Sequence, residues 1–456
     1  MAGGSKSQLT ADAAKILNYI RQSASTNYKE LVPQAISGDN ENLKLIGNVI
    51  VNDPLVRNEF LSALVNRIGF VTITNRIWEN PWAVFNKGLV EYGQTVEEIY
   101  VDLAKPFAYD VEIAEKNIFK REIPDVRSAF HCMNWQKFFK QTIQEKDLKR
   151  AFLGWDGVSD LIAKIIESMS TSLNYAVYQT MKYLIARVIL NGQGNAVQIP
   201  AVTLANLKEI TSDVKELSNN WTILNRNNNV AGVANHTPKE NQYIIMTNAF
   251  DAKMDVEVLA VAFNMDKAEF YGHRVLVDGF GEIDNDYLED LFTNGDGVID
   301  PTYIALTDAE KEALNAIPAV MFDERFMQIY QNMHEMTEAF NGEGIYWNYW
   351  LHEWMTFSVS PFAQRATLVP GAPSITSVTV SPDTATIAVG QALNLYAEVV
   401  TANFASKAVK WETSDATKVT VDQNGVVHGI AAGSATITAT SLVDGTKSDT
   451  ATITVA

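Results

Sequence analysis

The segment VSDLIAKIIESMSTSLNYAVYQTMKYLIARVIL, residues 158–190, places apolar side chains at Leu161, Ile162, Ile165, Met169, Leu173, Ala176, Val177, Leu184, Ile185 and Val188. Recurrence at steps of three and four is the period of an amphipathic helix. Asn191-Gly192-Gln193-Gly194 follows and reads as a helix stop. At about 1.5 Å per residue the predicted helix runs roughly 50 Å, longer than most globular helices. Such a helix needs a long partner surface or serves as a beam across the molecule.

Upstream, residues 54–68 predict a second helix. Asp53 can cap it, Pro54 suits its first turn, and Leu55, Phe60, Leu61, Leu64, Val65 and Ile68 share a face. Residues 70–130 alternate as extended chain, broken by Pro81, Gly88, Gly93, Pro106 and Pro124. With no helical core of their own they predict a projecting hairpin. Downstream, 195–320 mixes short strands (Tyr243 to Met246, Arg274 to Val277) with an amphipathic helix from Asp255 to Met265 and an exposed polar loop from Asn225 to Asn235. Residues 321–369 return as extended, aromatic-rich chain with Phe322, Phe326, Tyr330, Tyr346, Trp347, Tyr349, Trp350, Trp354 and Phe357. So many rings in one segment imply burial in a core or an interface.

Composition breaks at Val369-Pro370-Gly371-Ala372-Pro373, which reads as a short stiff linker. Beyond it the period is two. Val378 and Val380, Leu393 to Val399, Val409 and Trp411, Val419 and Val421, Ala435 to Ala439, and Ala451 to Val455 each line one strand face. Val389-Gly390, Asn424-Gly425, Ala432-Gly433 and Asp444-Gly445 supply the turns. About seven short strands with one Trp describe a β-sandwich.

The whole chain has 456 residues, 47% hydrophobic and 20% charged, enough to bury a sizeable core. Its net charge of −18 argues against a sequence-independent nucleic-acid binder, which needs clustered Lys and Arg. The tail from residue 374 carries −3 and the body −15. A lone Cys132 excludes a disulfide framework and a Cys-based zinc site. No basic run followed by an apolar core opens the sequence, so no signal peptide is expected, and no apolar run approaches a membrane span.

Motifs for chemistry fail on inspection. Asn294-Gly295-Asp296-Gly297-Val298-Ile299-Asp300 resembles the middle of a calcium loop, but its first and twelfth places fall on Phe292 and Tyr303, which cannot ligate. Gly192-Gln193-Gly194 follows a helix and lacks the third glycine of a dinucleotide fingerprint. His131-Cys132 has no family signature of a nucleophile, and His236, His273, His334, His352 and His428 form no metal-binding spacing. Glu97-Glu98 reads as a solvated or subunit-facing edge rather than an acid–base pair. The sequons at Asn220 and Asn235 are chance matches if the chain is never secreted. The expectation is a structural protein and no enzyme, with no cofactor and no metal.

The order of parts, together with Leu64 to Gly69, Glu97 to Tyr100, Gln141 to Gln144, Leu259 to Met265, Val277 to Phe280 and Gly344 to Tyr349, resembles the Hong Kong 97-type major capsid proteins of tailed phages, in particular the phi-29-type of small podoviruses. Val378 to Pro382, Val409 to Trp411 and Asn424 to Gly429 are similar to bacterial Ig-like group 2 domains. The resemblance implies an α+β capsid fold followed by an all-β sandwich. Residues 1–69 would form the N-terminal arm, 70–130 the E-loop, 131–194 the P-domain with spine helix 158–190, 195–320 the A-domain, 321–370 the P-domain return and 371–456 the Ig-like domain. The segment from Asp284 to Ala316 is longer than the family pattern.

The resemblance further implies non-covalent self-assembly into hexamers and pentamers of an icosahedral or prolate head around double-stranded DNA. Scaffold, portal and head-fibre proteins would be the other partners, with no membrane. The virion shell is the expected location, after synthesis in the host cytoplasm. The family's Lys–Asn crosslink finds only the available residue types Lys87 and Asn348. Trp78, Trp82, Phe85 and Tyr92 are expected to contact an adjacent subunit. The rival expectation is a surface adhesin or carbohydrate-binding protein acting through the tail.

Overall fold

The computed structural model describes residues 6–36, 39–68, 78–91, 95–107, 121–144, 155–261 and 273–456. Residues 108–120 of the expected hairpin, the end of the helix expected to reach Met265, and Tyr92 lie outside them. The chain divides into two compact units.

The first unit comprises residues 1–94, 132–178 and 329–356. It opens with helices Lys6–Ser23, Thr26–Leu31, Asn40–Asn52 and Pro54–Ile68. Side-chain caps start three of them: Ser25 accepts from the Tyr28 amide, Asp39 from those of Glu41 and Asn42, and Asp53 from those of Leu55 and Val56. Leu55, expected on the inner face of the last helix, is 72% exposed. Val56 and Phe60, four apart, fill the core and turn that residue outward.

Strands β1 (Asn86–Leu89), β2 (Val96–Val101), β3 (Val126–His131) and β4 (Trp135–Gln144) follow along the chain. Later come β5 (Ala196–Ile199), β6 (Gln242–Thr247), β7 (Arg274–Val277), β8 (Ala319–Asp323), β9 (Met327–Asn341), β10 (Tyr346–Val359) and β11 (Arg365–Pro370). The first unit's sheet has the order β1-β9-β10-β4. β10 runs antiparallel to β4 from Tyr346 opposite Gln144 to Met355 opposite Trp135. The pleat sends Trp347, Tyr349 and Leu351 into a core with Leu17, Ile20, Leu43, Ile46, Phe60, Ile143 and Met169.

The long helix spans Trp155–Leu190, and the chain passes from the first unit to the second within it, after Tyr178. Every residue from Ala176 to Tyr183 is buried. Buried Lys182 donates to Asp278 Oδ1 at 2.7 Å and to the Glu282 carbonyl, while burial lowers its pKa.

The second unit holds residues 95–131, 179–328 and 357–456. Its five-stranded sheet has the order β5-β11-β8-β6-β7, with β5–β11 and β6–β7 parallel and β8 antiparallel to both neighbours. Helix Leu207–Trp221 lays Leu207, Ile210, Val214 and Trp221 against Ile244, Met246, Phe250 and Met254. The next helix, Asn248–Val261, starts ahead of the expected Asp255, because the Thr247 hydroxyl accepts from the Phe250 amide at its first turn. The segment after Asp284 forms helices Asn285–Phe292 and Asp308–Asn315. Tyr183 pins it: the phenol donates to the Ile304 carbonyl at 3.0 Å and accepts from the Ile304 amide at 2.9 Å.

The tail is a sandwich of nine strands rather than about seven. Ser374–Ser381 pairs with Tyr396–Ala402. Thr384–Ile387, Ser448–Val455, Gly433–Ser441 and Val409–Thr413 make a four-stranded sheet, and Ala392–Asn394, Val426–Gly429 and Val419–Val421 a three-stranded one. Trp411 is buried among Val380, Leu395, Val399, Val427, Ile437 and Ile453.

Candidate subunit-assembly surface

β2 and β3 form an antiparallel ribbon, from Val96 opposite His131 to Val101 opposite Val126. The hairpin expected over 70–130 is therefore narrower at its base. Residues 86–89 belong instead to the first unit's sheet, as β1 beside β9. The two ribbon faces differ in chemistry because strand side chains alternate. Val96, Glu98, Tyr100, Arg127, Ala129 and His131 share one face, while Ile99, Val101, Val126 and Phe130 lie on the other with Glu97 and Ser128 among them.

The polar face is attached to its own chain. Glu98 accepts from the Ser360 hydroxyl at 2.8 Å and lies 3.3 Å from His131 Nε2, whose ring Nδ1 is 2.8 Å from Ser358 Oγ. Tyr100 donates to the Ala234 carbonyl at 2.9 Å and stacks on Phe362 at 5.7 Å. Arg127 Nη1 donates to the Ala231 carbonyl at 2.7 Å. At the ribbon's base Arg226 grips both oxygens of Asp102 at 2.8 Å. That bidentate bond, with the Leu103 amide, holds the Asp102 carboxyl below its ordinary pKa.

The apolar face is open. Ile99, Val101, Val126 and Phe130 are each more than half exposed, as are Leu103, Phe107 and Ile123 on the segments that continue the ribbon. A two-stranded ribbon in water normally turns its apolar side inward. Here the polar side is fastened and the apolar side presented.

Ser358, His131 and Glu98 stand in the order hydroxyl, imidazole, carboxylate, as in a hydrolytic relay. The His131 side chain is only 1% exposed, and the second oxygen of Glu98 is engaged by Ser360, so the arrangement works as a tie between strands. Asn294 and Asp300 turn their side-chain oxygens to amides of their own loop: Asp296 and Val298 for the first, Thr302 for the second. Among the described residues no group of three or more His, Cys, Asp or Glu is placed to hold a metal.

Of the four aromatic residues expected at a subunit contact, Trp82 and Phe85 are buried within the subunit. Trp82 has no accessible surface and Phe85 is 4% exposed, so neither has a face left for a neighbour in this conformation. Trp82 packs edge-on against Tyr178 at 5.4 Å and Phe85 at 6.3 Å. Trp78 remains accessible beside Tyr175 and Tyr178. Lys87 and Asn348 are exposed and buried respectively, and Asn348 Oδ1 accepts from the Thr142 hydroxyl at 2.7 Å.

The residues that sequence reasoning missed are the fasteners. Glu98 was read as part of a charged edge, and Arg226 lies in what reads as a solvated Asn-rich loop. The run Glu98, Tyr100, Asp102, with Ile99 and Val101 between, was the available signal: it fixes two faces of opposite character. It does not say which of them points home.

A family model described as Phi29-like phage major capsid protein matches residues 17–369, and one described as bacterial Ig-like domain, group 2, matches residues 374–455. The major capsid protein of Bacillus phage B103 is 32% identical over 419 residues, covering 90% of this chain and 86% of that protein. That of Bacillus phage PZA is 33% identical over 380 residues, covering 82% and 77%. Among solved structures, the capsid of Staphylococcus phage Andhra is similar in fold, with a TM-score of 0.52 at 15% identity, over 64% of this chain and 85% of that one.

Proposed function

The chain belongs to the Phi29-like phage major capsid protein family, a shell protein of the virion, and from that premise we propose that each copy lays the apolar face of its β2–β3 ribbon on a neighbouring copy. The observation that carries this reading is the ribbon's inverted orientation: Glu98, Tyr100, Asp102 and Arg127 hold it to its own subunit, and Ile99, Val101, Val126 and Phe130 are left more than half exposed. The four side chains are 54–61% exposed, so covering what remains contributes roughly 3–7 kcal/mol gross per copy, at about 1.5–3 kcal/mol for a side chain taken from full exposure. Ordering and docking costs offset much of it, and a shell multiplies the remainder over many copies.

Hexamers and pentamers are the assemblies this reading supports, with Trp78 as a second contact. Scaffold, portal and head-fibre proteins complete the set of partners. A net charge of −18 makes the subunit repel packaged DNA rather than bind it, which suits a container whose contents must move. Assembly rests on contact area and not on catalysis. No observation favours the adhesin reading of the tail.

The test is the double variant Ile99→Asp with Phe130→Asp. It should remain folded by circular dichroism and sediment as free subunits, with no particles by negative-stain microscopy. Particles at the parent yield would overturn the reading.

A further inference from the structure

Gly192 does two jobs. It closes the long helix, with its amide on the Ile189 carbonyl and that of Gln193 on the Val188 carbonyl, both at 2.9 Å, and φ of +71°. That is the six-to-one and five-to-two bonding of a Schellman stop, which favours glycine. But a Cβ at this position would also stand 2.7 Å from the Ala405 carbonyl oxygen and 2.9 Å from the Lys407 amide nitrogen. Both are backbone atoms of the Ig-like domain, and neither can rotate away.

The facing turn is built for the approach. Asn403 and Phe404 both hold left-handed backbone, with φ of 51° and 57°. For a bulky residue such as Phe that conformation is unfavourable and persists only where its surroundings impose it. Asn403 Nδ2 donates to the Ala372 carbonyl at 2.9 Å, tying the turn to the linker. Gly371 lies beside that amide, with φ of +113°, and a Cβ there would stand 3.2 Å from Nδ2. Ala405 is 1% exposed and belongs to the sandwich core, so the contact is continuous with the domain's interior.

We propose that the Ig-like domain is seated in one fixed orientation on the C-terminal turn of the long helix, with Gly192 as the residue that admits it. The domain is then a rigid part of every subunit rather than a module on a tether. The linker at 370–373 is part of the seat, and each copy carries its tail at the same place. This goes beyond the assembly reading and holds in the unassembled chain.

The experiment compares amide hydrogen exchange in the full-length, unassembled chain with that of Gly192→Asn. Asn accepts left-handed backbone, so the helix stop survives, while its side chain invades the space of Ala405 and Lys407. The expected result is exchange faster by about tenfold at 402–408 and 191–194, with 176–186 and the sandwich strands at 433–455 unchanged. Unchanged exchange at 402–408 would overturn the proposal. If 176–186 also loosens, the helix stop itself has failed and Asn403→Gly decides, since it removes the tie to Ala372 without touching the helix. Faster exchange at 191–194 in that variant supports the seat, and parent-like exchange there refutes it.

Discussion

Replacing Trp82 with Ala separates a side chain used inside the subunit from one used between subunits. Trp82 has no accessible surface, and its ring meets Tyr178 at 5.4 Å and Phe85 at 6.3 Å, both edge-on. Truncating a fully buried Trp costs about 3–5 kcal/mol through lost transfer energy and the cavity left behind. Each edge contact contributes roughly 0.5–1.5 kcal/mol of that. For a cooperative unit of roughly 150–250 residues, at about 2–4 °C per kcal/mol, Tm should fall by on the order of 10 °C. Scanning calorimetry on dilute, unassembled Trp82→Ala reads this directly, with Trp78→Ala as the counterpart. Trp78 is 39% exposed, so its loss should change subunit Tm much less and reduce particle yield more. A Trp82→Ala subunit with the parent Tm that nonetheless fails to assemble would refute the reasoning and return this ring to the interface.

Arg226→Ala removes both bonds to Asp102 and should speed amide exchange along Val96–Val101 and Val126–His131 at low salt. The difference from the parent should shrink as salt screens an exposed pair, and equal rates at low salt would show that the ion pair does not hold the ribbon. His334 Nδ1 lies 2.6 Å from Glu353 Oε2, and that bond to a buried carboxylate raises the imidazole pKa above 6.5. The pair therefore stabilises fully below about pH 6.5 and loses that contribution as pH rises through the raised value. Urea titrations across this window should show a decline in the parent that is absent in His334→Gln, and matching profiles would contradict the assignment.

The long helix and the sandwich were legible because each repeats one period over many residues. Leu161 to Val188 keeps the helical step, and Val378 to Val455 keeps alternation, so no single misread position alters either element. The stop at Gly192 was legible as a stop, but its second task depends on Ala405 and Lys407, more than two hundred positions away. Trp82 and Phe85 were expected at a subunit contact and are buried within their own subunit, since hydrophobicity says that a ring leaves water without saying whose core receives it. Leu55 failed for a related reason: a face drawn through 55 and 60 competes with one through 56 and 60, and packing chooses the latter. The ribbon was hardest, because a strand with its polar face fastened and its apolar face presented has the same alternation as one placed the usual way. Contacts such as those with Ser360, Ala234 and Arg226, each over a hundred positions from its partner on β2 or the base that follows it, break that symmetry.

The most direct test is a cryo-electron microscopy reconstruction of assembled particles at side-chain detail. The account predicts that Ile99, Val101, Val126 and Phe130 each lie within about 4–4.5 Å of atoms from another copy. Finding those side chains facing solvent, or folded back on their own subunit, would contradict it.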